Sequence, residues 1–115
     1  MKLSVLMPAF NEKLWVAEIV GRVIKQKVEG VSALEIIIVD DGSTDGTREV
    51  IHALSQKHKD IISSVYHKQN RGKGAALRTA IEQMSGDVCI IQDADLEYNP
   101  TDYPLVLEPI ISGRA

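Results

Sequence analysis

Four short apolar segments, separated by stretches with helical periodicity, constrain the fold of this chain more than any other feature. They begin at Leu3, Leu34, Ile61 and Val88. The segment from Leu34 to Val39 is almost continuously apolar, which is typical of a parallel strand covered on both faces. Strands joined by helices predict an α/β fold, in which a mostly parallel sheet carries helices on both faces.

The stretches between the strands predict the helices. We expect the first helix to begin after Asn11 as its N-cap and to end near Gly30, because these residue types favour helix starts and ends. The third is predicted from Ala75 to Met84, and a further one covers 104–111. Their expected buried faces are Val16, Val20 and Val23 in the first helix, Val50, Ile51 and Leu54 in the second, and Leu77, Ala80, Ile81 and Met84 in the third.

Composition limits the class of protein. With 115 residues, of which 44% are hydrophobic and 25% charged, the chain is long enough for one ordinary globular domain. Its formal net charge of −3 argues against nucleic acid as a partner. No apolar run approaches the roughly 20 residues of a membrane span, so we expect a cytoplasmic protein, or one peripheral at the cytoplasmic membrane face through parts outside this chain. Cys89, within an apolar run, is expected to be a buried structural thiol.

Polar loops follow all four predicted strands. They are Phe10 to Glu12, Asp40 to Asp45, Asn70 to Gly74 and Asp93 to Glu97. In wound parallel sheets, ligands bind beyond the carboxyl ends of the strands. The sequence therefore predicts that these four loops open onto one rim and form a ligand site.

The residue types on this rim suit a metal ion that carries a diphosphate. Asp93 and Asp95 are two positions apart in an extended segment, so their side chains point the same way and can address one Mg²⁺. Arg71 and Lys73 can meet phosphate oxygens, and Gly72 allows a close approach of backbone N–H groups to an anion.

Each loop on its own also has a structural explanation. Asp41 to Thr44 can be a turn and helix cap, and Asp93 to Asp95 can be a solvated acidic turn. Arg71 to Gly74 can be a solvated basic turn, since it lacks the P-loop and G-x-G-x-x-G spacings. The functional interpretation depends on the coincidence of all four loops. Three histidines have no metal-ligand spacing and are expected at the surface, namely His52, His58 and His67.

Four segments carry a resemblance to a known family: P-A-F-N-E (8–12), I-I-V-D-D-G-S-T-D-G-T (37–47), N-R-G-K-G-A-A-L-R-T-A-I (70–81) and S-G-D-V-C-I-I-Q-D-A-D-L-E-Y-N-P (85–100). Together they resemble the family 2 glycosyltransferases, most of all the branch that acts on dolichyl and polyprenyl phosphates. The resemblance implies a Rossmann-like GT-A fold, a nucleotide-diphospho-sugar donor such as UDP-glucose or GDP-mannose, Mg²⁺ or Mn²⁺, inversion at the anomeric centre and a lipid-phosphate acceptor.

The same resemblance implies roles for individual residues. The nucleotide is expected to contact Pro8, Phe10, Glu12, Val39, Asp40, Asp41, Arg71, Lys73, Asp93 and Ala94. Phe10 stands where the family often has Tyr, and Val39 and Asp41 match positions that contact the base and ribose. The metal ligands are expected to be Asp93 and Asp95 of the D-x-D element, with Asp95 also the catalytic residue, and Glu97, which stands where some relatives have Gln. The end of the chain, Ile110 to Ala115, suggests the first part of a longer protein.

The mechanism that this implies is charge neutralisation on the departing diphosphate by a metal at Asp93 and Asp95. A lipid-phosphate acceptor is already an anion, whereas a saccharide hydroxyl acceptor would require a carboxylate base. The alternatives are such a hydroxyl-directed transferase, or a donor-binding fragment without turnover. A receiver domain and a sugar-nucleotide pyrophosphorylase fit less well: the former needs a different order of Asp and Lys, and the latter a glycine-rich first loop where Pro8 to Glu12 stands.

Overall fold

The computed structural model describes residues 1–94. In this part of the chain, four strands alternate with three helices. They are β1 (Lys2–Ala9), α1 (Val16–Lys25), β2 (Ala33–Asp40), α2 (Thr47–Lys57), β3 (Ile62–Tyr66), α3 (Lys73–Gln83) and β4 (Val88–Ile91). The helix predicted over 104–111 and the predicted metal ligands Asp95 and Glu97 lie outside the described residues. None of the helices in 1–94 is long and apolar enough to cross a membrane.

All strand pairs are parallel, as the sequence predicts, and the strands are ordered β3-β2-β1-β4. Val5 of β1 lies between Ile36 of β2 and Ile90 of β4. The chain winds outward from β1 to β3 and then returns to the other side of β1. Such a reversal leaves a crevice at the carboxyl ends of β1 and β4. In wound sheets, ligands bind in a crevice of this kind.

Helices cover both faces of the sheet. Side chains alternate along each strand, so Val5 and Met7 face α1 and α2, while Leu6 faces α3. The first face packs against Ile19 of α1 and Ile51 of α2, both fully buried. The two-sided α/β architecture predicted from the strand spacing is therefore confirmed.

The start of α1 differs from the prediction. The helix begins at Val16 after Trp15, which makes no side-chain cap, and Asn11 is not the N-cap. Asn11 has a φ of 53°, and its side-chain oxygen accepts a hydrogen bond from the Thr44 N–H at 2.9 Å. Asn11 therefore joins two loops. The helix also ends earlier than expected, at Lys25 rather than near Gly30.

The buried face of α3 was also predicted wrongly in part. The helix turns Ala75, Ala76 and Ala80 to the protein interior, and Ile81 is 53% exposed. Leu77 only flanks the contact. Small side chains face the sheet, and the larger apolar residues lie beside or outside the contact.

Cys89 is exposed, so the expectation of a buried thiol was wrong. β4 is the last strand of the described sheet. Val88 and Ile90 of β4 pack against the core on the α1 and α2 side. Cys89 alternates with them and points to the opposite face, where Ile91 is also exposed.

A hydrogen-bond network closes the amino end of the sheet, opposite the predicted site. The Glu35 carboxylate accepts hydrogen bonds from the Ser4 hydroxyl at 2.5 Å and from the Ser85 N–H at 2.6 Å. The Gly86 N–H donates to the Ser4 hydroxyl oxygen at 2.9 Å. A Cβ at Gly86 would lie 2.9 Å from the carbonyl oxygen of Lys2, so only glycine fits this close approach.

Candidate functional site

A cleft of about 260 Å³ opens at the carboxyl ends of β1 and β4. Loops that follow all four strands contribute to it, as the sequence predicts. The residues that line it are Pro8, Ala9, Phe10, Glu12, Asp41, Asn70, Gly72, Lys73, Ala76, Asp93 and Ala94.

The β1–α1 loop forms one wall of the cleft. It is joined to the β2–α2 loop by hydrogen bonds. The Asn11 N–H donates to the Ser43 hydroxyl at 2.9 Å, and the Thr44 N–H donates back to the Asn11 side chain. The Glu12 N–H donates to the Thr47 hydroxyl oxygen at 2.9 Å. These bonds hold the segment that carries Phe10 and Glu12 into the cleft.

The second half of the D-D-G-S-T-D-G-T segment leads into α2, and the contacts at the start of the helix involve Asp45 and Thr47 rather than the 41–44 stretch for which a cap was predicted. Asp45 accepts hydrogen bonds from the Thr47 N–H at 3.0 Å and from the Thr47 hydroxyl. The hydrogen bond from the Thr47 side chain is the main cause that lowers the pKa of the Asp45 carboxyl. The helix itself begins after Gly46, whose φ is 101°.

The first half of that segment has a different role, because Asp41 joins three parts of the chain. The side chain is only 5% exposed. Oδ1 lies 2.8 Å from His67 Nδ1 and accepts the Arg71 N–H at 2.9 Å, while Oδ2 accepts the Gly72 N–H at 2.9 Å. Burial alone would raise the pKa of Asp41, but the hydrogen bonds from His67, Arg71 and Gly72 together lower it. Asp41 thus remains an anion that fixes the loop before α3.

Sequence reasoning missed His67, which contacts the cleft residue Asp41 without lining the cleft itself. It was expected at the surface but is only 7% exposed. Beyond its contact with Asp41, its Nε2 lies 2.9 Å from the Thr79 hydroxyl of α3. A signal was present in the sequence, because His67 directly follows β3, and residues after parallel strands gather at one edge.

Gly42 allows the β2–α2 and β3–α3 loops to touch. It has a φ of 77°, and a Cβ there would lie 2.5 Å from the backbone nitrogen of Asn70. Both the backbone angle and the space require glycine. The contact brings Asp41 within hydrogen-bond distance of the N–H groups at Arg71 and Gly72.

Lys73 and Asp93 face each other across the cleft. Lys73 stands in the first turn of α3, and its Nζ lies 2.7 Å from Oδ1 of Asp93. The Lys73 side chain is largely exposed, whereas that of Asp93 is mostly buried. The Lys73 ammonium group therefore balances the charge of the Asp93 carboxylate in this structure.

We asked whether these residues suit a divalent metal. Within 1–94, no group of three acidic, histidine or cysteine side chains could hold one. Mg²⁺ typically needs only one or two carboxylates and takes its other ligands from water and phosphate. Asp93 fits as one such carboxylate. The other predicted ligands, Asp95 and Glu97, lie outside the described part of the chain.

Three residues predicted to contact the nucleotide are not among those that line the cleft. Val39 and Asp40 are fully buried at the end of β2, and neither lines it. The Asp40 carboxylate accepts no hydrogen bond within the described residues. Arg71 is exposed and lines a separate depression with Tyr66 and Lys68, while its backbone N–H donates to Asp41.

Residues 4–115 match the family model of "Glycosyl transferase family 2". The chain belongs to this family. The resemblance inferred from the four loop segments is therefore confirmed.

Among its relatives, the chain is 34% identical over 110 residues to an undecaprenyl-phosphate 4-deoxy-4-formamido-L-arabinose transferase of Pseudomonas aeruginosa. A transferase of the same name from Salmonella choleraesuis is 34% identical over 112 residues. These matches cover 96% and 97% of this chain but 32% and 34% of the relatives. This family 2 chain thus spans about a third of their length.

Solved structures of glycosyltransferases share the fold. The mannosyltransferase PcManGT from Pyrobaculum calidifontis, in complex with GDP-Man and Mn²⁺, superposes with a TM-score of 0.72 at 31% identity over 81% of this chain and 27% of its own. Glucosyl-3-phosphoglycerate synthase from Mycobacterium tuberculosis, in complex with Mn²⁺, UDP and glucosyl-3-phosphoglycerate, gives 0.73 at 27% identity over 96% of this chain and 40% of its own. The predicted GT-A fold is confirmed.

Proposed function

We propose that the protein transfers a hexose from a nucleotide-diphospho-sugar to a polyprenyl or dolichyl phosphate, with inversion at the anomeric centre. Residues 1–115 would form its donor-binding domain, within a longer transferase. One observation carries the proposal: Lys73 and Asp93 lie on facing sides of a cleft to which the loops after all four strands contribute. A basic group could contact the diphosphate of the donor, and an acidic group facing it could bind the metal that accompanies the diphosphate.

Lys73 and the first turn of α3 are the proposed diphosphate contacts. The amino end of a helix presents N–H groups and a positive dipole to anions. The Lys73 ammonium adds a full charge beside them. Both lie in the cleft that Gly72 also lines.

Asp93 and Asp95 are the proposed ligands of Mg²⁺ or Mn²⁺, with Glu97 nearby in the sequence. When bound, such an ion supplies neutralisation of the charge that develops on the departing diphosphate. Asp93 is partly buried, which favours a bound cation over bulk solvent as its partner. The two structural neighbours described above, each with Mn²⁺, support a divalent ion.

The nucleoside is proposed to lie against the β1–α1 loop. Phe10 presents a partly exposed aromatic ring at the cleft, beside Pro8 and Glu12. An aromatic ring in such a position can stack on a planar base. Asp41 supplies an acceptor in the same cleft. Phe10 and Asp41 would therefore hold the base while Lys73 holds the phosphates.

The names of the relatives support a lipid-phosphate acceptor. Such a phosphate is already an anion, so its attack on the sugar needs no general base. The reaction would then occur at a membrane surface, in line with a cytoplasmic protein that is peripheral to the membrane. Transfer to a saccharide hydroxyl is the alternative, and it would require a carboxylate base.

Calorimetry on the intact protein tests the donor site. We expect UDP or GDP to bind in the presence of Mn²⁺, and we expect Asp95→Ala and Asp93→Asn to abolish the metal-dependent part of the binding. His52→Gln, an exposed change on α2, is the matched control. Unchanged affinity in both aspartate variants would reject the metal assignment. Transfer to undecaprenyl phosphate rather than to a soluble saccharide would separate the two acceptor hypotheses.

A further inference from the structure

Within residues 1–94, three donors contact the Asp41 carboxylate, which leaves one acceptor position for a ligand. An ionised carboxylate offers about four lone-pair positions on its two oxygens. His67 and Arg71 occupy both positions on Oδ1, and Gly72 occupies one on Oδ2. Within residues 1–94, no further donor reaches this carboxylate. The remaining position is on Oδ2, and Asp41 lines the cleft.

This single acceptor position on Oδ2 can distinguish nucleobases by the number of N–H donors on their Watson–Crick edge. Uracil presents one, at N3, between two carbonyl oxygens. Guanine presents two side by side, at N1 and N2, and a carboxylate satisfies them together only when each oxygen has a free position. Cytosine has an acceptor at N3, which a carboxylate repels.

We propose that Asp41 selects a base with a single N–H on this edge, and therefore a uridine nucleotide, and that His67 sets this preference by occupying Oδ1. The proposal rests on the nucleotide-diphospho-sugar function proposed above and specifies its donor. A second N–H donor, such as the guanine amino group, would enter the cleft without an acceptor on Asp41. Sites that leave a polar group unpaired discriminate strongly against the ligand that carries it.

His67 is a positioning residue in this arrangement. A carboxylate only accepts hydrogen bonds, so the Nδ1 of His67 carries the proton and donates to Asp41. On the other side of the ring, Nε2 lies 2.9 Å from the Thr79 hydroxyl. The imidazole is held between α3 and the β2–α2 loop and cannot turn away without losing both contacts.

Matched nucleotides test the preference on the unmodified protein. We expect calorimetry of the intact protein with Mn²⁺ to give UDP an affinity at least about tenfold higher than CDP or GDP, the size of one unpaired buried group. IDP differs from GDP only by lacking the 2-amino group, and we expect it to bind more tightly than GDP. GDP binding as tightly as UDP, or more tightly than IDP, would overturn the proposal. Failure of every nucleotide to bind would instead overturn the proposed function and this inference with it.

Two substitutions separate positioning from packing. His67→Asn keeps an amide N–H near the place of Nδ1, whereas His67→Gln places its amide near Nε2 and leaves Oδ1 with a free position. We expect the ratio of GDP to IDP affinity to stay as in the unmodified protein in His67→Asn, and to rise severalfold in His67→Gln. A merely structural role would lower thermal stability in both and leave the ratio unchanged, which would overturn the part assigned to His67. His52→Gln serves as the control, and if the variants fail to fold, the IDP and GDP comparison still decides the preference.

Discussion

The Lys73 ammonium and the Asp93 carboxylate form an ion pair of 2.7 Å between the first turn of α3 and the segment after β4. The two groups that we assign to phosphate and metal therefore contact each other in this structure. On this assignment, binding of the donor with its metal would have to separate them. Metal and nucleotide would then compete with this pair, each removing one partner from it.

Replacement of Lys73 by Met should affect the two ligands in opposite directions. Loss of the ammonium removes a charge-assisted bond to phosphate, so the affinity for a nucleoside diphosphate should fall. Asp93 loses its cationic competitor, so Mn²⁺ affinity without nucleotide should rise, by up to about fivefold for a partly exposed pair. Calorimetry and free-Mn²⁺ electron spin resonance measure the two effects. Lys59→Met is the exposed control; a fall in both affinities would contradict competition.

Gly42→Ala should destabilise the protein and weaken nucleotide binding. The residue has a φ of 77°, and its new Cβ would lie 2.5 Å from the Asn70 nitrogen. Strain of this kind costs about 1–3 kcal/mol, and the displaced loop would pull the Arg71 and Gly72 N–H groups from Asp41. Urea unfolding measures the free energy of unfolding, and calorimetry measures the affinity.

Gly21→Ala provides the matched control for that experiment. Gly21 lies within α1, and nothing is within 4 Å of a Cβ added there. Alanine is favoured over glycine in a helix interior by roughly 0.5–1 kcal/mol, so this variant should be slightly more stable than the parent. Equal destabilisation by both substitutions would show that the contact between the two loops has no special role.

The alternation of strands and helices could be predicted from sequence, because apolar runs and helical periodicity are local signals. The strand order could not, since nothing near Val88 indicates that β4 pairs with β1 rather than β3. The same limit explains Cys89. An apolar run looks alike in a central strand and at the edge of a sheet, and only the pairing decides which faces are covered.

The location of the cleft could be predicted from the sequence, but the contacts within it could not. Because the loops after parallel strands lie at one edge of the sheet, the sequence correctly predicted that four residues lie close together, namely Pro8, Asp41, Lys73 and Asp93. The bond between Asp41 and His67 joins residues 26 positions apart, and no local pattern records it. In α3, apolar residues occur on more than one side, so periodicity could not choose between the face with Ala76 and the face with Ile81.

Asp41→Asn should remove hydrogen bonds to the neighbouring loop as well as the negative charge. An amide offers one acceptor oxygen, while the NH₂ group faces N–H donors that the carboxylate now accepts. Either Gly72 or the pair of His67 and Arg71 loses its acceptor, so the free energy of unfolding should fall by about 1–3 kcal/mol. Nucleotide affinity should fall as well. Asp60→Asn, an exposed change after α2, is the control, and equal stability of the two variants would argue against Asp41 as the anchor of this loop.

Glu35 should make the stability of the protein depend on pH in the acid range. Burial raises the pKa of this carboxyl, but hydrogen bonds from Ser4 and Ser85 and the charge of Lys2 outweigh it, so the pKa in the folded state is lowered. The stabilisation is therefore fully present above the unfolded value of about 4.3 and is lost as the pH falls through the lower, folded value. Glu35→Gln should cost roughly 1–2 kcal/mol at pH 7, and the difference from the parent should shrink below about pH 4. Urea unfolding across this pH range measures the free energy of unfolding of both proteins, with the exposed Glu29→Gln as control. If the difference between Glu35→Gln and the parent grew as the pH fell, the ionised, hydrogen-bonded state of Glu35 would be contradicted.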